Sequence, residues 1–202
     1  MRVALIGASG NAGSRILSEL VSRGHSVAAI VRNPDAVPKL ANVKAKKGDV
    51  YDQAGLAELL QGHDAVISSV HFTASDPAKL IAAVREAGVK RYLVVGGAGS
   101  LDVAPGLKLI DAPDFPEAYR SEATAGAAFL DRLRQDQDLD WTFLSPSAMF
   151  VPGERTGVFR LGLDQLIANE AGSSISFEDF AIALVDELEK PTHIRRRFTV
   201  GY

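Results

Sequence analysis

The chain contains no cysteine, which excludes disulfides, thiolate catalysis and thiolate metal sites. Basic charge is not in surplus either. The 22 lysines and arginines stand against 25 aspartates and glutamates, a formal net charge of -3. A nucleic-acid binder needs a basic face to neutralise phosphates, so no nucleic-acid partner is expected. No apolar run approaches the roughly 20 residues of a membrane helix, and no membrane partner is expected. The opening runs through a strand-like stretch into glycines, where the apolar core of a signal peptide would continue, so a cytoplasmic protein without a leader is expected. The four histidines lack metal-ligand spacing, so no metal is expected. One further gap is local: no lysine occurs from Leu109 to Glu189.

What is present is an alternation of short apolar runs with helical stripes. RVALI (Arg2–Ile6), SVAAIVR (Ser26–Arg32), VKAKKGD (Val43–Asp49), DAVISSV (Asp64–Val70), RYLVVGG (Arg91–Gly97) and WTFLS (Trp141–Ser145) read as strands, most of them buried on both faces. Helical stripes fall between them, at Ile16, Leu17, Leu20 and Val21, then at Leu56, Leu59 and Leu60, then at Leu80, Ile81 and Val84, and from about Glu117 to Arg134. FEDFAIALVDELE (Phe177–Glu189) is an amphipathic helix with Phe177, Phe180, Leu184, Val185 and Leu188 facing inward, and RRFTVGY reads as a last strand. This pattern predicts an α/β fold, a Rossmann-type doubly wound parallel sheet with helices on both faces. Residues 1–202 are expected to form one dinucleotide-binding domain. The glycine-rich region 146–176 is expected to form a small C-terminal lobe covering the substrate at the sheet's carboxyl edge.

GASGNAG (Gly7–Gly13) carries the chemistry. Gly7, Gly10 and Gly13 follow a strand and open a helix, the context that makes a dinucleotide fingerprint specific. The first glycine permits the tight turn, the middle one the approach of backbone to a pyrophosphate, and the third the packing of helix on strand. The helix start offers free N–H groups to phosphate, and Ser9 and Asn11 add side-chain donors. At the end of the second strand, where an acidic residue would bind the ribose 2′-hydroxyl of NAD, stands Arg32, followed by Asn33 and Pro34. A guanidinium suits a 2′-phosphate, so NADP(H) is expected over NAD(H). By fold analogy Asp49 and Val50 flank the adenine, and Ser68, Ser69, Val70 and His71 line the middle of the cofactor.

The lysine gap bears on the reaction. The GxxGxxG loop resembles that of the extended and atypical short-chain dehydrogenase/reductases, and classical members of that superfamily carry a Tyr-x-x-x-Lys pair after the fifth strand. Tyr119 stands at about that place, but four residues on is Ala123. The pair that protonates an isolated carbonyl at neutral pH is therefore missing. His71, Ser100 and Tyr119 remain candidates for donating a proton or orienting a substrate; as alternatives, they are a loop histidine, a turn serine and a packing tyrosine. The run Arg195–Arg197 reads as a solvated strand start.

With those residues in place, the chain resembles the atypical short-chain dehydrogenase/reductases described as NAD(P)H-flavin reductases, relatives of the biliverdin reductase B and NmrA-like groups. GASGNAG, VRNP, KGDVYD, VVGGAGSL, DWTFLSPS and the closing FEDFAIALVDELEKPTHIRRRFTVGY carry the likeness in order. It implies Gly7, Ser9, Gly10, Asn11 and Ala12 at the pyrophosphate, Arg32 at the 2′-phosphate, and Asp49 and Val50 at the adenine. It further implies Gly96 and Gly97 under the nicotinamide ribose, and Pro146 and Ser147 near the nicotinamide. Gly97, Ala98, Gly99 and Ser100 compete for the serine of the biliverdin reductases, so no bile-pigment activity is inferred. The expected function is an NADPH-dependent oxidoreductase passing hydride to a small-molecule acceptor, a flavin or quinone. The acceptor would stack beneath residues 149–166, with Phe150 and Phe159 as apolar walls and flavin as a diffusible substrate. The alternative is a non-catalytic NADP(H)-binding redox sensor of the NmrA-like type. A sugar-nucleotide epimerase is disfavoured, because it needs the same missing acid–base pair.

Overall fold

Short apolar runs become strands here because both of their faces are covered. In the computed structural model, which describes residues 1–202, the chain runs β1 (Arg2–Ile6), α1 (Asn11–Ser22), β2 (Ser26–Val31), β3 (Val43–Lys47), α2 (Gln53–Leu60), β4 (Ala65–Ser68), α3 (Pro77–Glu86) and β5 (Arg91–Val95). A hairpin of β6 (Asp102–Ala104) and β7 (Leu107–Lys108) follows, then α4 (Arg120–Arg134), β8 (Asp140–Pro146), β9 (Met149–Val151), β10 (Arg160–Gly162), β11 (Ser174–Ser176), α5 (Phe177–Glu189) and β12 (Arg196–Gly201). The main sheet has the order β3-β2-β1-β4-β5-β8-β12-β10. All its pairings are parallel except that of β10 with β12.

Alternate residues of each strand serve two cores, as the period of a strand dictates. Val3 and Leu5 pack with Ile16, Leu17 and Leu20 of α1 and with Phe180, Leu184 and Leu188 of α5. Ala4 and Ile6 face the other way, toward Leu56 and Leu60 of α2, Leu80 and Val84 of α3, and Phe129 and Leu133 of α4. Each fully buried leucine or phenylalanine contributes about 1.5–3 kcal/mol. The register levels the strand ends: Ile6 pairs with Ile30 and Ser68, Ser68 with Val94, and Val95 with Leu144. The loops leaving β1, β2, β4, β5 and β8 therefore emerge along one edge, and the order reverses between β1 and β4. That switch point is where open α/β sheets bind their ligands.

Several expectations change. The helix expected from Glu117 begins at Arg120, and Glu117–Tyr119 form a 3-10 turn. Part of the expected lobe is β10, an eighth strand on the edge of the sheet. What remains is the parallel pair β9 with β11 and a strap over residues 152–157. That strap is fastened to α1 and α5: Arg155 makes two 2.9 Å bonds to Glu19, the Gly153 amide donates to Glu178 at 2.9 Å, and the Gly157 amide donates to Asp179 at 2.8 Å. Of the basic run expected to be solvated, Arg197 is buried and ion-paired with Asp164, because its strand lies inside the sheet between β8 and β10. No helix is long and apolar enough to cross a membrane.

Candidate functional site

The three glycines of the first loop are bare for different reasons. Gly7 has a φ of 82°, and a Cβ there would collide with the Ser69 carbonyl at the end of β4. A Cβ on Gly13 would collide with the Gly7 carbonyl, so this glycine lets α1 close on β1. Gly10 differs: the nearest atom to its would-be Cβ is the Gly7 oxygen at 3.4 Å, ordinary contact. The protein's own packing does not require a glycine there, and the bare backbone leaves room for a ligand to approach closely. The start of α1 points the same way. Its N-cap is Gly10, with no side-chain cap and no acidic residue in the first turn, and the amides of Asn11 and Ala12 find no acceptor in the protein. By contrast, α2, α3 and α5 are capped by Asp52, Asp76 and Ser176. An uncapped positive helix end suits a pyrophosphate. Ser9 and Asn11 are exposed beside it.

At the end of β2, Arg32 is exposed and makes no hydrogen bond or ion pair within the chain. The side-chain oxygen of Asn33 caps the turn Pro34–Ala36 by accepting from the Asp35 amide. Asp49 accepts from the Tyr51 amide at 2.9 Å, and Val50 packs against the α2 side of the core. Ser69 and Val70 lie directly beneath Gly7. Ser68 is turned inward, its hydroxyl 2.9 Å from Tyr92, whose own ionisation burial pushes up. Gly96 is required by the close approach of Phe143 and Leu144, whereas a Cβ on Gly97 would meet only Phe72, at 3.5 Å. Gly97, like Gly10, is bare beside open space.

The remaining candidates divide. The Ser147 hydroxyl is fully buried and donates to the Val200 and Ile167 carbonyls, and its amide also donates to Val200. Neither group is free for a cofactor, and Pro146, paired in β8, offers backbone alone. Ser100, 7% exposed, accepts from Arg197 at 3.2 Å and faces into the protein. Tyr119 is 66% exposed at the head of α4. His71 has 84% of its side chain exposed, beside the crevice. Ala123 lies so close to Gly99 that a Cβ on that glycine would clash with its methyl group. Phe150 packs on Phe177 and Phe180, at 4.5 and 4.6 Å between ring centroids. Phe159 lines a cavity of about 430 Å³ against the C-terminal turns of α1 and α5, with Arg23, Leu161 and His193. Neither phenylalanine walls the crevice.

Glu122 escaped the sequence reading. One turn into α4, it accepts from the Phe72 amide at 2.7 Å, the Thr73 amide at 3.0 Å and the Thr73 hydroxyl at 2.7 Å. Its Oε1 lies 3.3 Å from Nδ1 of His71. Burial pushes its pKa up, but the Thr73 hydroxyl, the two amides and His71 together hold it below the usual carboxylate range. Phe72, wedged between Phe129 and Phe143, anchors the same turn from below. No local pattern announces such a residue, because its partners lie about fifty positions earlier.

Comparison with known proteins agrees with this geometry. A protein of Bacillus subtilis, the uncharacterized YwnB, is 43% identical over 99% of this chain and 98% of its own. A structure from Bacteroides thetaiotaomicron whose name proposes an epimerase superposes with a TM-score of 0.95 at 42% identity, covering 100% of this chain and 96% of its own. One from Streptococcus pneumoniae whose name proposes an NADH-flavin reductase gives 0.86 at 41%, covering 100% and 99%. The sequence pattern of a family described as NAD(P)H-binding matches residues 7–191, from the first glycine of the loop to just past the end of α5. With the Gly7–Gly13 loop, the uncapped α1 and a Rossmann-type sheet in place, the chain belongs to that NAD(P)H-binding family.

Proposed function

We propose that the protein is an NADPH-dependent reductase of flavins or quinones. Gly7, Ser9, Gly10, Asn11, Ala12 and Gly13 would hold the pyrophosphate, Arg32 with Asn33 the 2′-phosphate, and Asp49 and Val50 the adenine. Ser69, Val70, Gly96 and Gly97, with the backbone at Pro146, would line the nicotinamide half. When bound, the cofactor supplies hydride. The observation that carries the choice of acceptor is Ala123, packed against Gly99 where a lysine would have to assist Tyr119. An isolated ketone or a sugar carbon needs that assistance, whereas a conjugated acceptor spreads the incoming charge and needs chiefly proximity and stacking. This weighs against the epimerase suggested by one relative's name and favours the flavin reductase suggested by another's. Flavin would come and go as a substrate.

The test is the steady-state rate of NADPH oxidation with FMN, riboflavin and a water-soluble benzoquinone offered in turn. A saturable, enzyme-dependent rate is expected with at least one of them. Cofactor binding without turnover on any acceptor would defeat the reductase and leave an NADP(H)-binding sensor.

A further inference from the structure

Reduction of a quinone requires more than hydride. Hydride addition leaves an electron pair on the far carbonyl oxygen, and the neutral hydroquinone forms only when that oxygen gains a proton. In the crevice the usual donor pair is missing, Ser100 is turned inward and Ser147 is engaged with backbone. One ionisable pair does stand at the mouth. His71 follows the β4 segment that lies beneath Gly7, and its Nδ1 is 3.3 Å from the Glu122 carboxylate. Nε2 has no partner within the chain, and the ring is 84% exposed. Glu122 itself cannot swing away, because the Phe72 amide and both Thr73 donors hold its two oxygens.

We propose that His71 and Glu122 form the proton-delivering dyad of this site, with His71 the donor to the reduced acceptor and Glu122 the residue that positions it. The inference rests on the reductase reading above. The Nε2–H bond breaks as the O–H bond of the hydroquinone forms, and the neutral imidazole regains its proton from water. A carboxylate against one ring nitrogen fixes which nitrogen faces outward, here Nε2. The other ionisable groups nearby are engaged or out of reach. Arg120 is bound to Glu117 and the Ile110 carbonyl, Asp76 caps α3, and Lys79 donates to the Tyr51 carbonyl. Tyr119, the N-cap residue of α4, precedes Glu122 by three positions.

The experiment uses the full chain with NADPH and a water-soluble benzoquinone. His71→Gly is expected to lower kcat about a hundredfold, the lower end of what a general acid contributes, with the affinity for NADPH unchanged. Added imidazole is expected to restore part of the rate. Glu122→Gln keeps an acceptor for the turn but removes the charge that holds the His71 ring, so kcat should fall, by less than in His71→Gly, with the KM for the quinone unchanged. The same variant supplies a readout independent of turnover: followed by nitrogen NMR in the protein without cofactor, the His71 ring should carry its proton chiefly on Nδ1 in the wild type and lose that preference in the variant. A His71→Gly variant that turns over at the wild-type rate, or a His71 ring whose tautomer is the same with and without the Glu122 charge, would overturn the dyad and leave the reductase standing. A wild-type protein that reduces neither quinone nor flavin would overturn both.

Discussion

Gly10 and Gly13 sit three residues apart in one loop, and the structure separates their roles. Gly13 is a packing glycine: a methyl group there meets the Gly7 carbonyl. Gly13→Ala should therefore destabilise the fold by about 1–3 kcal/mol, the range for overpacked sites, read as a lowered urea midpoint. Gly10 has room for a methyl group. Gly10→Ala should leave the midpoint within about 0.5 kcal/mol of wild type while weakening NADPH binding, because the added carbon would intrude on the pyrophosphate position proposed above. Equal loss of stability in both variants would mean that Gly10 serves the fold alone. Both glycines were legible in the sequence as members of one spacing. Their different reasons were not, because those depend on how closely Ser69 and Gly7 approach in space.

The strap over residues 152–157 carries a prediction at the level of elements. Arg155 reaches Glu19 in the last turn of α1, and Glu19 also pairs with Arg23. The Arg155 hydrogen bonds pull the Glu19 pKa down, burial opposes them, and Arg23 adds to the fall, leaving the carboxyl below its usual range. A carboxylate whose pKa is lower folded than unfolded contributes stability above its unfolded value and loses it as pH falls through the folded one. Glu19→Gln should thus cost about 1.5–3 kcal/mol at neutral pH, the scale of a hydrogen bond to a charged group. The gap to wild type should narrow below about pH 4, the ordinary carboxylate range, in urea unfolding followed across pH. A gap that stays constant with pH would mean that the ion pair contributes nothing and only shape matters. The longer elements of the fold were readable because their apolar periods are local. The β6–β7 hairpin, β10 and the β9–β11 pair were not, since strands of two or three residues carry no period and form only where a distant partner lies. The hairpin alone left a trace, Pro105-Gly106 at its turn, where Gly106 has a φ of 75°.

Across the whole molecule, the alternation of strands and helices determined the sheet, and the sheet determined the crevice. The register brings Gly7, Arg32, Ser69 and Gly97 to one edge although they are spread over half the chain. That much follows from topology and was visible beforehand. The Glu122 link between α4 and the turn after β4 was not, because it is a carboxylate meeting backbone amides across the crevice. A fold of this kind serves many reactions, and relatives of similar likeness carry names as different as epimerase and flavin reductase. The account accordingly depends on particular side chains, Arg32 first among them. Calorimetric titration of NADPH and NADH into the wild-type protein and Arg32→Glu tests it most directly. A guanidinium bound to the 2′-phosphate is worth about 1.5–3 kcal/mol, so NADPH should bind the wild type about ten- to over a hundredfold more tightly than NADH. The variant should lose that preference or reverse it. Equal affinity of the wild type for the two cofactors, or a preference for NADPH that survives in Arg32→Glu, would contradict the assignment.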